Sequence, residues 1–177
     1  LGMSGRLCIV SPDKLLNKHD HVDIHFNERN LVLRYRDPRR FGSILWTEID
    51  PYIHKLIKNL GPEPLNEEFG AKYLFSRLRN KKQCIKNTIM DSCIVVGVGN
   101  IYASEALHNA GIRPQRISKK VTMKEVINLV KSIKNVIKEA IQKGGSTMND
   151  FFDVNGENGY FQNEHKVYGR ENQPCFQ

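Results

Sequence analysis

Ile94-Val95-Val96-Gly97-Val98-Gly99-Asn100-Ile101-Tyr102-Ala103-Ser104-Glu105 runs from apolar residues through a glycine turn into residues of helical spacing. A strand, two glycines and a helix in that order suggest a dinucleotide-binding unit. That fingerprint needs a third glycine three places after Gly99, where Tyr102 stands, and no acidic residue closes a following strand. The other use of such a turn is anion binding. Gly97 and Gly99 let backbone amides come close to a phosphate, and a helix starting at Asn100 adds the positive end of its dipole. A glycine turn is more often only a turn, so its surroundings decide.

Outward from this turn the chain reads as helices. Asn100 is placed to cap a helix ending at Ala110, with Gly111 after it and Pro114 as a stop. Thr122 and Glu125 form a capping box for the clearest helix. Val126, Leu129, Val130, Ile133, Ile137, Ala140 and Ile141 line one face of it, and Gly144-Gly145 closes it. Upstream, helices are predicted over 83–90 and 66–79. Another is predicted from an Asp50 cap with Pro51 in first position to Gly61-Pro62, with the stripe Ile53, Leu56, Ile57, Leu60.

Before residue 47 the pattern is that of strands. Arg6 opens one that ends at Val10. Val22, Ile24 and Phe26 alternate with His21, Asp23 and His25, the period of a half-buried strand. Asn27 to Asn30 is turn chemistry, Leu31 to Tyr35 returns as the partner, and a further strand is predicted over 41–47. Residues 146–160 read as a polar loop, and 161–170 as a last strand. Strands first and helices afterwards indicate an α+β fold with a boundary near 47–50.

The 177 residues carry 27 Lys+Arg against 19 Asp+Glu, a net charge of +8, which favours a polyanionic partner. No apolar stretch approaches the roughly 18 residues that span a bilayer. Cys8, Cys84, Cys93 and Cys175 form no C-x-x-C pair and read as reduced thiols, two of them in apolar runs. His19, His21 and His25 with Asp23 lie in line along one strand. Ligands in a line do not surround an ion, so they read as a solvated polar face. Arg34, Arg36, Arg39 and Arg40, and then Arg77, Arg79, Lys81, Lys82 and Lys86, make two basic runs that flank the anion-ready turn and Phe41. Glu105 and Asp91 are acid or base candidates without an identifiable partner, and Glu105 reads equally well as a helix-surface or a buried, paired carboxylate. Leu1 is no initiator, and both ends read as interruptions, so the chain is treated as a fragment.

Several segments then become recognisable together, in order. They are Leu1-Gly2-Met3-Ser4-Gly5, Lys18-His19-Asp20-His21-Val22-Asp23, Asp37-Pro38-Arg39-Arg40-Phe41-Gly42, Leu60-Gly61-Pro62-Glu63-Pro64-Leu65, the turn from Val96 to Glu105, and Val167-Tyr168-Gly169-Arg170. Across nearly its whole length the chain resembles the bacterial formamidopyrimidine-DNA glycosylases, more than their endonuclease VIII relatives. The resemblance implies a base-excision repair glycosylase and AP lyase for oxidised purines (formamidopyrimidine, 8-oxoguanine). It implies the remainder of an N-terminal β-sandwich over 1–48 and a helix–two-turns–helix domain over 49–145. A lesion loop and truncated zinc-finger hairpin follow over 146–177. Lys86 and Asn100, with the turn glycines Gly97 and Gly99, match the phosphate contacts. Met3, Arg39 and Phe41 match the residues that enter the duplex where the damaged base has left, and Tyr160 and Arg170 join the DNA-binding set. Strand alternation would put Arg39 and Phe41 on one face and Arg40 on the other.

The same resemblance implies an N-terminal proline nucleophile upstream of Leu1, so the chain alone is expected to be chemically silent, a DNA-binding remainder. Zinc belongs to the longer family members. Cys175 matches the first of four cysteine ligands, and this chain is expected to bind none. The implied partner is damaged double-stranded DNA, met by a monomer in the bacterial cytoplasm, at the nucleoid, with no membrane. The competing reading is a non-enzymatic helix–two-turns–helix binder of structured RNA or DNA. The set Met3, Arg39, Phe41 separates the two, since it is useful only for filling a hole in a duplex.

Overall fold

The structure is a computed structural model that describes residues 1–2, 4–145 and 165–175. The chain divides into two compact units, one built on Leu1–Glu48 and the other on Ile49–Gln142 together with 165–175. Small sheet and helices are thus segregated along the chain, the α+β arrangement expected from the order of patterns.

In the first unit, β1 (Arg6–Val10), β2 (Asp20–Phe26) and β3 (Leu31–Arg36) form an antiparallel sheet with β3 in the centre. The β2–β3 connection is a short 3₁₀ turn, Asn27–Arg29, closed by Asn30 in the left-handed region, where asparagine is tolerated better than most residues. The apolar side of β2 is not covered as expected: Val22, Ile24 and Phe26 are each at least 40% exposed. On the other face His21 and His25 are exposed, as read, but Val32 and Arg34 are buried. An ion pair makes the burial of Arg34 possible. Register sets Asp23 opposite Arg34. The guanidinium meets that carboxylate in a fork, Nε to Oδ1 at 2.9 Å and Nη2 to Oδ2 at 2.8 Å, and bonds the Lys14 and Leu15 carbonyls. A planar fork of donors satisfied on every side can be taken out of water at acceptable cost. Asp23 is therefore the half-buried partner of a buried arginine. Among the described residues no cluster of histidines, cysteines and carboxylates could hold a metal ion.

The expected strand over 41–47 is absent. These residues have no regular structure, and Phe41, Ile44, Leu45 and Trp46 are exposed. No ladder receives them, and a strand without a ladder has nothing to fix it.

In the second unit, α1 (Ala71–Leu78), α2 (Ile85–Ile89), α3 (Asn100–Asn109) and α4 (Met123–Gln142) surround a core that includes Phe69, Leu74, Leu78, Ile85, Ile89, Ile94, Leu107, Leu129 and Ile133. The capping box holds, with Thr122 N–H on Glu125 Oε2 at 2.8 Å. The stripe of α4 is buried as read, apart from the exposed Ile141. The helix expected over 51–60 is reduced to a 3₁₀ turn, Pro51–Ile53. Asp50 caps it as expected, accepting from Tyr52 N–H. Its stripe of Ile53, Leu56, Ile57 and Leu60 stays exposed, and one short helix is marginal without a surface to bury against. The helices expected over 66–79 and 83–90 are shorter, and residues 165–170 form turns rather than a strand. Cys93 is exposed, against its reading as an apolar-run thiol, and all four cysteines are free. Among the described residues no helix is long and apolar enough to cross a membrane.

Gly61 shows how tightly the core is tied to the glycine turn. Its N–H bonds Ser92 O at 2.7 Å, and a β-carbon there would lie 2.5 Å from the backbone of Ile94. Gly61→Ala is expected to cost about 1–3 kcal/mol in urea unfolding. Gly70→Ala, where a β-carbon would find its nearest neighbour at 3.8 Å, should cost less.

Candidate nucleic-acid interface

In the second unit the interface is built on the opening stretch. Ile94, Val95 and Val98 are buried and anchor the turn, while Gly97, Gly99 and Asn100 between and after them are exposed. Gly97 has φ +73°, a conformation natural to glycine, and a β-carbon on Gly97 or Gly99 would meet no atom within 4 Å. The turn therefore presents bare backbone to open space. Gly99, and not Asn100, is the N-cap of α3, and no side chain caps the helix. Asn100 is thus the first helical residue, its amide group left for other work, and the N–H groups at that end face outward where an anion is favoured.

Lys86 of α2, Asn100 and Ser104 of α3, Arg113, and Tyr168 with Gly169 line one cleft of about 580 Å³. The Tyr168 hydroxyl lies 3.5 Å from Asn100 Nδ2. Tyr168 lies outside the DNA-binding set that the resemblance implies, although it belongs to the motif Val167-Tyr168-Gly169-Arg170. Only the fold shows that it comes to the glycine turn.

Glu105 brings it there. This side chain is 2% exposed and accepts three backbone N–H groups, from Lys166 at 2.8 Å, Val167 at 3.0 Å and Tyr168 at 2.9 Å. Of its three readings, catalytic, helix-surface or buried and paired, the last is the one found. Arg170 fastens the same segment from the other side. It donates to Lys166 O, Gln173 Oε1 and Pro174 O, so the resemblance's DNA-binding arginine also holds its own turn. Cys175 is exposed, with Sγ 3.8 Å from His108 Nε2. One thiol and one imidazole do not make a structural zinc site, and the described residues add no third ligand.

In the first unit the centre is Asp37, fully buried. Its carboxylate accepts from Ser4 Oγ at 2.6 Å, Gly42 N–H at 2.8 Å and Tyr35 OH at 2.9 Å. The Ser4 hydroxyl and then the Gly42 amide hold the group well below the usual carboxylate range. Arg40 N–H bonds Asp37 O at 3.2 Å, which closes a turn with Pro38 and Arg39 at its corners. Strand alternation therefore does not align Arg39 and Phe41. There is no strand, and Arg40 has φ +53°. The two side chains nonetheless meet, with Arg39 Cζ 4.6 Å from the centre of the exposed Phe41 ring. Met3 and Tyr160 lie outside the described residues, as does the loop expected over 146–160.

Much of the basic charge proves to be structural. Arg34 is the buried fork described above, and Arg36 lies 3.9 Å from Asp20. Arg77 donates to Cys93 O, Arg79 to Lys119 O and Val121 O, and Lys81 pairs with Asp91 at 3.6 Å. Lys86 alone of its run lines the cleft.

Two measurements check the Glu105 anchor. Glu105→Gln replaces an all-acceptor group by one that is half donor. Amide exchange at Lys166, Val167 and Tyr168 should quicken about tenfold or more, as expected for loss of roughly 1.5–3 kcal/mol of charge-assisted bonding, while the α1 amides keep their rates. His165 gives a pH dependence. Burial lowers its pKa from the ordinary 6.5, with Glu105 opposing more weakly. The unfolded chain then takes up a proton that the folded chain resists, so stability should be full above pH 6.5 and fall as pH drops through and below it. Urea unfolding of the parent and of His165→Gln across that range should show a shallower decline in the variant.

Known proteins resemble this chain in both sequence and fold. The family profile "Formamidopyrimidine-DNA glycosylase H2TH domain" matches residues 60–152, and "Formamidopyrimidine-DNA glycosylase N-terminal domain" matches 1–44. The formamidopyrimidine-DNA glycosylase of Neisseria meningitidis is 51% identical over 99% of this chain and 65% of its own length. That of Legionella pneumophila strain Lens is 51% identical over 99% and 64%. The crystal structure of the MutM (Fpg) protein of Thermus thermophilus superposes with a TM-score of 0.85 at 35% identity, covering 98% of this chain and 64% of that one. A complex of Lactococcus lactis Fpg with abasic-site DNA gives 0.82 at 32%, covering 99% and 64%. The chain thus spans a little under two thirds of the length of these relatives. With one profile covering more than half of its residues, it belongs to the formamidopyrimidine-DNA glycosylase family.

Proposed function

We propose that this chain forms the DNA-gripping part of a base-excision repair glycosylase and AP lyase for oxidised purines. The observation that carries the reading is the cleft of the second unit. Lys86, Asn100 and Tyr168 line it at the start of a helix that no side chain caps, and the bare glycine turn leads directly into Asn100, a setting suited to a phosphate. Solved relatives from Lactococcus lactis hold abasic and Fapy-dG DNA, which supports damaged duplex DNA as the partner here. We read 1–48 as part of the β-sandwich, 49–145 as the helix–two-turns–helix domain, and 146–177 as lesion loop and start of a finger.

The chemistry acts on a base, and a base inside a duplex must first leave the stack, at a cost of a few kcal/mol. The cleft binds the phosphate backbone and fixes register without reading sequence. Arg39 and Phe41 act on the other requirement, a filled gap. An exposed aromatic wedge stacked under a guanidinium offsets part of the unstacking cost, and the guanidinium, a pure donor, suits the ring nitrogen and carbonyl oxygen of an unpaired cytosine. Met3 would complete the set. Zinc would be held by a finger for which Cys175 would supply one ligand, and the described residues hold no complete site.

Binding of the chain to duplex DNA should weaken by about 0.9 log units per tenfold salt for each neutralised phosphate. Lys86→Ala should lower affinity for all sequences alike and reduce that salt slope by about one. Asn100→Ala should lower affinity with little change of slope. Fluorescence anisotropy over a salt series measures both. Salt-insensitive binding, unchanged affinity in both variants, or tighter binding to an RNA hairpin than to damaged duplex would overturn the reading.

A further inference from the structure

We propose that Asp37, acting through the hydroxyl of Ser4, is the positioning residue that sets Arg39 for recognition of the base opposite the lesion. This rests on the reading of Arg39 given above. Arg39 and Phe41 need to be placed accurately, yet they are exposed and belong to no strand. A recognition contact loses its discrimination when its group is loose by even half an ångström or so. Something other than a sheet must hold this loop.

The buried carboxylate brackets it. One oxygen takes the Ser4 hydroxyl at 2.6 Å, and the same hydroxyl oxygen accepts the backbone N–H of Arg39 at 3.2 Å. The other oxygen takes the backbone N–H of Gly42 at 2.8 Å. The chain is thus pinned just before and just after the pair Arg39–Phe41. Ser4 comes from a different segment, and it follows Met3 in sequence. Glycine makes that approach feasible, for a β-carbon on Gly42 would lie 2.1 Å from the Tyr35 hydroxyl and 2.7 Å from Leu1 O. Segment 1–5 and loop 37–42 therefore meet without a spacer. The link between them is one hydroxyl that donates to Asp37 and accepts from Arg39. Threading both bonds through one small group couples the two loops.

Tyr35 supplies the control. Its hydroxyl bonds the same carboxylate at 2.9 Å, but Tyr35 lies in β3 and does not touch the Arg39 backbone through this network. Removing it weakens the same buried site without cutting the link between the loops.

The test is binding of the full chain to duplexes with an abasic analogue opposite cytosine or adenine. Parent, Arg39→Ala, Ser4→Ala, Tyr35→Phe and Asp37→Asn are compared, each checked for folding by circular dichroism. The parent should prefer cytosine by roughly five- to 150-fold, the span of a well-matched arginine–base contact. Arg39→Ala should abolish the preference. Ser4→Ala should lose most of it while keeping the parent's salt slope and its affinity for undamaged duplex. Tyr35→Phe should keep it, and Asp37→Asn, if folded, should follow Ser4→Ala. A parent-like preference in Ser4→Ala, or equal loss in Tyr35→Phe, overturns the positioning role, the latter by showing an effect of stability alone. No preference in the parent, or an unchanged one in Arg39→Ala, overturns the reading of Arg39 on which the inference rests.

Discussion

Glu105 sits inside the second unit with 2% of its surface in contact with solvent, and a carboxylate there is stable only if donors replace the water it has lost. Three successive backbone amides do so. Because those amides are consecutive, the bonds fix a segment rather than a single residue, and Tyr168 is delivered to Asn100 as a consequence. The first unit repeats the device. Asp37 is stable in its buried place because hydroxyls and amides from separate segments surround it, and those segments carry Arg39 and Phe41. Each of the two surfaces proposed to meet DNA is thus shaped by a buried acid.

That arrangement changes how the basic charge is understood. A net +8 suggests a polyanion, but Arg34, Arg36, Arg77, Arg79 and Lys81 of the two basic runs bond partners within the protein. Arg34 replaces a hydrophobic core on one sheet face, and Arg79 closes the carbonyls of Lys119 and Val121 while lying over Phe75 at 4.1 Å. Arginine suits both duties because its planar donors satisfy several acceptors at once. Counting charges finds the class of partner. It does not find the candidate site, where Lys86 is the one member of its run that lines the cleft.

The parts readable from sequence are those governed by local rules. The α4 capping box, the glycine turn and the β2–β3 hairpin follow from spacing and turn chemistry, and all are present. The failures have one physical cause, that burial is decided by partners distant in sequence. The alternation of Val22, Ile24 and Phe26 marks a strand correctly but not which face is covered, since Arg34 and Asp23 claim the other one. The stripe from Ile53 to Leu60 is amphipathic yet unburied, so the helix does not form. Asp37 gave no sign of its role either. Its donors Ser4 and Gly42 lie on both sides of it in sequence, and only the fold brings them to one carboxylate. Tyr168 could have been suspected from its motif, but its distance to Asn100 depends on Glu105.

Arg40 carries the last step of this logic. A residue with a β-carbon in the left-handed region gives up about 1–2 kcal/mol, and such a conformation persists only where its surroundings over-determine it. Here they do. Pro38 sets the corner of the turn, Arg40 N–H closes it on Asp37 O, and two residues later Gly42 N–H returns to the Asp37 carboxylate. With both flanks fixed, the chain between them has to reverse, and the positive φ of Arg40 is how it does so. Reversal at that point brings the side chains on either side of Arg40 together, which is why Arg39 lies over Phe41 although no strand alternation aligns them. A glycine at position 40 would relieve the strain, but it would also widen the conformations open to the loop and loosen the geometry that the strain maintains.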